Sequence, residues 1–363
     1  MTPLLKEIRH NPVLWMLAFV PVVFLTAKLK PESHTLHFVL SVLAIVPLAA
    51  LLSRATESVA AKTGDAVGGL LNATLGNLTE LVISLTALRA GQYMLVKASI
   101  AGAIVTNTLF MLGASFLLGG LKYHIQEYNR VSARTQAGLL FLATIALLIP
   151  SAVSEADSAA MTFAQELSVG LAVLLIVTYG LSMLFSLKTH RELFASAEHD
   201  EAEESHWPMG LALATLAGVT VLVALVSEVF VESVQKAAEA FGLTPAFVGF
   251  IVVALVGAAA EMASAFSAAR KNRLDLSVGI ALGSATQIAL FVAPVLVLLS
   301  YVIGPAPMDL QFWPGAVVMI LIATMTAALV TNSGRSTWFI GVSVLVVYLI
   351  FAMTLYLLPP RAP

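Results

Sequence analysis

The stretch Val67–Arg89, VGGLLNATLGNLTELVISLTALR, returns 181 residues later as Val248–Arg270, VGFIVVALVGAAAEMASAFSAAR. At this offset Gly68 meets Gly249, Gly76 meets Gly257, and Glu80 meets Glu261. Without a gap, the register continues from Gly102 to Gly283, from Thr106 to Gln287 and from Phe110 to Phe291. Landmarks held in one register over so long a stretch mark an internal duplication. Each copy sets a glutamate inside an otherwise apolar run.

The surrounding composition says what that run is for. Of the 363 residues, 59% are hydrophobic and 11% charged, against about 25% charged in soluble domains. Mean hydropathy is +0.93. No soluble core could hide this much apolar surface, so the chain is an integral membrane protein. The net charge of -2 comes with no basic patch that would bind nucleic acid. The absence of cysteine excludes disulfides, thiol catalysis and cysteine metal sites. The N-terminal basic patch and apolar run look like a signal peptide, but no small-residue cleavage site follows, and the segment reads as a retained first helix.

A spanning helix needs roughly 20 mainly apolar residues. Eleven segments meet that requirement: 12–28, 34–53, 66–88, 95–118, 136–154, 166–187, 209–230, 243–269, 275–301, 311–331 and 337–358. Open sheets cannot cross a bilayer and the alternation of a barrel is missing, so the class is all-α. The repeat offset covers five helices, an odd number, so the second copy enters the membrane in the opposite direction. This is the inverted-repeat plan of secondary transporters. It divides the chain into an extra N-terminal helix (1–33), a first five-helix repeat (34–187), an acidic linker (188–208) and a second five-helix repeat (209–363). Thirteen of the 19 Lys and Arg residues fall on the side of the N-terminus, which places the N-terminus in the cytoplasm and the C-terminus outside. The linker carries Glu192, Glu198, Asp200, Glu201, Glu203 and Glu204. It reads as a solvated connection or as an acidic segment that gathers cations at the cytoplasmic mouth.

A carboxylate in hydrocarbon is costly unless paired, wetted or protonated. Inverted copies bring Glu80 and Glu261 together across a pseudo-two-fold axis, with no basic residue in either span near them. The mutual repulsion is relieved by protons or by a divalent cation, and both cannot hold the same oxygens at once. Calcium takes about 6–8 oxygens, of which two glutamates supply about two to four. Gly76 and Gly257, one turn before each glutamate, would let the helix unwind and free carbonyls, or would serve close helix packing. Asn77, Thr79, Asn107, Ser284 and Gln287 are further oxygen donors, with Thr106, Thr108 and Thr286 beside them. Glu57 and Glu228 form a second pair, each ending the first helix of its repeat on opposite membrane faces, where they would flank access paths.

At these residues the chain resembles the cation/proton exchanger (CAX) family of calcium/proton antiporters, in the calcium/cation antiporter superfamily. The matching stretches are GGLLNATLGNLTELVISLTALRAGQ, KASIAGAIVTNTLFMLGASFLLGGLKYHIQE and KNRLDLSVGIALGSATQIALFVAPV, together with the acidic loop. The resemblance implies a 1 + 5 + 5 helix fold, with Glu80 and Glu261 binding Ca²⁺ or protons in a Ca²⁺ exporter of the cytoplasmic membrane. It implies Ca²⁺ and H⁺ as transported ions and no cofactor. The second repeat of that family usually reads Gly-Asn-Ala-Ala-Glu-His; here it reads Gly257-Ala258-Ala259-Ala260-Glu261-Met262. The site is therefore asymmetric and poorer in ligands. Na⁺- or K⁺-coupled calcium exchange, and proton-coupled export of Mn²⁺ or a monovalent cation, are the alternatives. A channel is disfavoured by the repeat. An enzyme is disfavoured because neither a metalloprotease His-Glu pattern nor a serine–base arrangement is present.

Overall fold

The computed structural model describes residues 3–63, 65–152, 158–193 and 207–357. Among these, nine helices are long and apolar enough to cross a membrane. In chain order they are Pro12–Leu29, His34–Ala60, Tyr93–Tyr123, Arg130–Ser151, Thr162–Thr189, Met209–Ala240, Leu274–Ile303, Pro314–Thr331 and Trp338–Leu357. Two broken helices complete the set. One is the pair Asp65–Leu75 and Leu78–Arg89; the other is Pro245–Gly257 and Ala259–Arg270, bent by 59°. The eleven expected segments thus each carry helix, two of them in halves.

Local chemistry sets several starts. The Asn11 side chain accepts from the Val13 N–H, with Pro12 in the first helical position. Thr244 caps Phe247 before Pro245 in the same manner, and Asn129 accepts from the Ser132 N–H. These caps satisfy amides that the first turn leaves free. One expectation needs correction. The helix expected to end near 230 runs to Ala240, because Val231–Ala240 is rich in Ala, Glu, Gln and Lys, which favour helix even beyond the apolar span. The chain also holds a small antiparallel pair, Ile125–Glu127 with Arg335–Thr337, which lies between helices and joins the two halves of the chain. Of the acidic linker, Glu192 sits on a short helical turn, while Glu198, Asp200, Glu201, Glu203 and Glu204 lie outside the described residues, as does Arg361.

The helices sort by burial. In the most apolar stretch of Tyr93–Tyr123, 83% of residues are buried, against 17% for Pro12–Leu29. The first is the central element and the second lies at the periphery, packed on His34–Ala60. Helices His34–Ala60 and Met209–Ala240 lie along each other, with Phe38 stacked on Phe230 at 5.5 Å. Arg130–Ser151 pairs with Pro314–Thr331, where the Thr144 and Thr324 hydroxyls meet at 3.0 Å. Tyr93–Tyr123 is held between Trp338–Leu357 and the start of the broken helix at 248–253. The contact on that second side needs Gly102: a Cβ there would overlap the backbone of Phe250. Small residues allow such backbone approach where no hydrophobic force drives helices together.

Gly102→Ala should therefore destabilise the detergent-solubilised protein by about 3 kcal/mol, the upper end for overpacking. Gly170→Ala, where a Cβ meets nothing within 4 Å, should be neutral or stabilising by up to about 1 kcal/mol through helix propensity. Thermal unfolding followed by circular dichroism reads both. Equal midpoints for the two variants would contradict this packing.

Candidate ion site

The two helix breaks fall at Gly76–Asn77 and Gly257–Ala258, the same place in each copy of the duplicated stretch. Asn77 and Ala258 have φ, ψ of -97°, 26° and -79°, 3°, a non-helical conformation that interrupts the ladder. The new half-helices start at Leu78 and Ala259, so Glu80 and Glu261 both stand in a first turn. That end of a helix presents unpaired N–H groups and positive potential toward an anion. The glycine thus precedes a break, and the break turns an ordinary spanning position into a helix terminus.

Glu80 reaches across to the opposite break. A Cβ on Gly257 would stand 3.1 Å from its Oε1 and 3.0 Å from its Cγ. Around Glu80, Ser84, Ser99, Ala103 and Gly257 leave only about 10 Å³, near the least that holds one water. Glu261 faces a different space. With Gly76, Ser264, Ser284 and Gln287 it lines a cavity of about 420 Å³. Glu57, Asn129 and Asp275 also line it.

Amides and hydroxyls from both halves of the chain form one chain of hydrogen bonds. Asn107 Nδ2 donates to Ser284 Oγ at 2.8 Å. Ser284 Oγ donates to Asn77 Oδ1 at 2.8 Å. Asn77 Nδ2 donates to Gln287 Oε1 at 2.7 Å. Asn77 and Asn107 are almost wholly buried. Three buried oxygens beside this chain have no hydrogen-bond partner: Glu80 Oε1, Glu261 Oε2 and Asn107 Oδ1. Unmet acceptors of this kind are costly in a dry interior, and a cation or proton would satisfy them. Among the described residues no three His, Cys, Asp or Glu side chains stand together as a metal cage. A bound cation would have to draw on amide, hydroxyl, backbone or water oxygens as well.

The remaining candidates separate. Gly76 lies at the cavity, next to Gln287. Thr79 is buried beside the first break. Thr108 and Thr286 donate back to Ile104 and Leu282 in their own helices, and Thr106 faces the Tyr348 hydroxyl at 3.5 Å. Met262 packs among Met111, Phe116 and Ala258 as an apolar filler. Glu57 lines the cavity and pairs with Arg54 at 3.4 Å. Arg54 also meets Glu7 of the N-terminal helix at 3.6 Å. Glu228 is not at a helix end, since its helix continues to Ala240; it pairs with Arg89 at 3.4 Å on an exposed surface. The sequence reading passed over Asp275 and Gln136, both of which line the cavity. The signal for Asp275 was present, as the one acid in the first turn of Leu274–Ile303; it accepts from the Asn129 N–H.

Residues 33–188 and 211–357 match the family described as sodium/calcium exchanger protein. A Ca²⁺/H⁺ antiporter of Aphanothece halophytica is 39% identical over 359 residues, covering 95% of this chain and 96% of that protein. The Ca²⁺/H⁺ antiporter ChaA of Bacillus subtilis is 42% identical over 320 residues, covering 86% and 90%. The solved structure of native YfkE superposes with a TM-score of 0.81 at 37% identity, covering 94% of this chain and 98% of that one.

Ser284 is the link on which the polar chain turns. Ser284→Ala would leave Asn77 Oδ1 and Asn107 Nδ2 without a partner. Buried groups so orphaned cost about 1–3 kcal/mol each. Asn77→Ala in the same background should add less than its single effect, with a coupling of about 1 kcal/mol. Unfolding midpoints of the two single variants and the double variant measure it. Simple additivity would mean that the two side chains do not act through each other.

Proposed function

The chain belongs to the sodium/calcium exchanger protein family, and from that premise we propose that it is a Ca²⁺/H⁺ antiporter of the cytoplasmic membrane, exporting Ca²⁺ against inward-moving protons. The observation that carries the reading is the pair of buried carboxyl oxygens, Glu80 Oε1 and Glu261 Oε2, unpartnered at two facing helix breaks. Relatives about 40% identical over most of their length are Ca²⁺/H⁺ antiporters by name, which supports the choice of ions.

The chemistry follows from charge. Two ionised carboxylates give the empty site a charge of about -2 in a medium that screens poorly. One Ca²⁺ neutralises them, and so do two protons. Each therefore displaces the other, and a cycle that swaps one for two is electrically neutral. Calcium needs about 6–8 oxygens in a loose arrangement. Beyond the carboxylates, the Asn107 carbonyl, the Ser284 and Gln287 side chains, carbonyls at the breaks and water from the cavity are the candidates within the same region. Asn77 and Thr79 support the first break, and Gly76 and Gly257 permit the close approach. The break positions and the two separate stretches of family match support a division into repeats 34–187 and 209–363, with 1–33 as an added helix and 188–208 as a linker.

The proposed direction rests on the basic residues. Asn129 and Asp275 line the cavity and adjoin in sequence the basic stretches 122–134 and 270–273, the side that charge bias makes cytoplasmic, which supports an opening toward the cytoplasm. In this conformation Glu261 is open to the cytoplasm, and Glu228 lies with Arg89 on the outer face.

Gradient-driven flux in proteoliposomes tests the reading. Glu80→Gln and Glu261→Gln should each reduce Ca²⁺-dependent proton movement by at least about 100-fold, since either change leaves one fixed charge to bind a divalent ion. Normal flux in both would overturn the mechanism. Uptake driven by a Na⁺ gradient with no pH difference would favour sodium coupling, and Mn²⁺ outcompeting Ca²⁺ would reassign the cation.

A further inference from the structure

The two halves are in different states of closure, and glycines record the difference. On helix Tyr93–Tyr123, Ala98 and Gly102 form one face a turn apart, and both are buried. A Cβ on Gly249 would come within 2.6 Å of Ala98 Cβ, and one on Gly102 would overlap Phe250. The start of the second broken helix, around 249 and 250, is therefore clamped on this face. Shifting each of these positions by 181 gives the equivalent contact in the other half: residues 68 and 69 against 279 and 283. That contact is open. A Cβ on Gly279 would meet nothing within 4 Å, and one on Gly283 would meet only the Gln136 amide at 3.8 Å. Both glycines line the 420 Å³ cavity.

We propose that Gly279 and Gly283 are positioning residues of the transport cycle, the surface on which the helix Asp65–Leu75 closes. This rests on the antiporter reading and on the duplicated architecture. Closure would bring Gly68 and Gly69 onto Gly279 and Gly283, a glycine-on-glycine contact that allows two helix backbones to meet with no side chain between them. The cavity then disappears and Glu261 loses its water path. The clamp of residues 249 and 250 on Ala98 and Gly102 would release in turn and give Glu80 a path to the other face. Glycine at 279 and 283 has no packing purpose in the conformation described here. In a helix it is less favourable than alanine, so its use is explained by a second conformation that needs the space.

Substitution separates the two roles, because a leucine at either position fits the open cavity and blocks the closed contact. Gly279→Leu and Gly283→Leu should keep the protein folded and keep ⁴⁵Ca²⁺ binding in detergent within about twofold, while flux in proteoliposomes falls at least about tenfold as the closed population is removed. Gly170→Leu and Gly218→Leu, at positions equally free of neighbours, should leave flux unchanged. The chain has no cysteine, so Ser264→Cys at the cavity wall gives a single labelling site for a membrane-impermeant maleimide. Its labelling should persist in both leucine variants, since the cavity stays open. Unimpaired flux in the two variants would overturn the proposal. So would joint loss of flux, Ca²⁺ binding and labelling, which would mean that leucine merely plugs the entrance. If the unsubstituted protein carried no Ca²⁺-dependent proton flux, the antiporter reading would fail instead. Closure on the two glycines would then still be read from whether imposed pH gradients suppress Ser264→Cys labelling in the parent and not in the leucine variants.

Discussion

In a bilayer every backbone N–H and C=O must find a partner within the protein, and the rest of this structure depends on how two places escape that rule. Unbroken helices satisfy it automatically. Interrupting a helix in mid-membrane leaves polar groups that hydrocarbon cannot solvate, so a break survives only where it faces protein or water. Here both breaks face inward, toward each other and toward buried amides and a cavity. The central position of Tyr93–Tyr123 and Leu274–Ile303 follows, because these helices carry the Asn107, Ser284 and Gln287 side chains that meet the breaks. The helices least buried, such as Pro12–Leu29, complete the lipid-facing wall.

Placing a carboxylate in the first turn after each break uses the same constraint for chemistry. A glutamate in an intact helix would face an already satisfied backbone. After a break it stands at a terminus whose amides attract negative charge, while burial and a second carboxylate oppose that charge. Two opposed effects therefore act on each carboxylate. A lysine beside it would settle the balance permanently, and the spans around Glu80 and Glu261 contain none. Among the described residues the basic side chains pair with other acids: Arg54 with Glu57, Arg89 with Glu228, Lys97 with Asp309 at 2.6 Å and Arg335 with Glu127 at 2.8 Å.

Much of this was legible before any coordinates. Eleven apolar segments, the 181-residue offset and the repeated glutamates followed from the sequence because hydrocarbon thickness and intramembrane charge leave strong signals. The breaks were signalled less directly, by Gly76 and Gly257. The polar chain was not legible as a chain. Asn77 meets Gln287 across 210 residues and Asn107 meets Ser284 across 177, and no local pattern encodes such pairings. Thr108 and Thr286 show the converse: their side-chain oxygens look available in sequence but are turned back onto their own helices. Helix ends beyond the apolar run were also hidden, which is why Glu228 looked terminal and is not. Asp275 was overlooked because a single acid at a helix start commonly serves only as a favourable charge at the dipole.

The missing amide at Ala258 gives the asymmetry a physical basis. Asn77 fastens the first break to Leu274–Ile303 by two side-chain hydrogen bonds. The equivalent position in the second half is a methyl group, packed with Met262 and Met111 in an apolar cluster. Its potential partner, Thr106, stands where Gln287 stands in the other half and faces Tyr348 instead. One break is therefore tied by polar side-chain bonds at Asn77, and the matching residue of the other, Ala258, makes only apolar side-chain contacts. Apolar contacts can slide with little directional penalty, whereas a buried amide that loses its partner costs about 1–3 kcal/mol. Two inverted copies with identical polar groups would leave the two faces balanced by symmetry. Replacing the amide on one side removes that balance: the first break keeps two directional bonds at Asn77, and the matching position in the second, Ala258, offers only a methyl group to an apolar cluster.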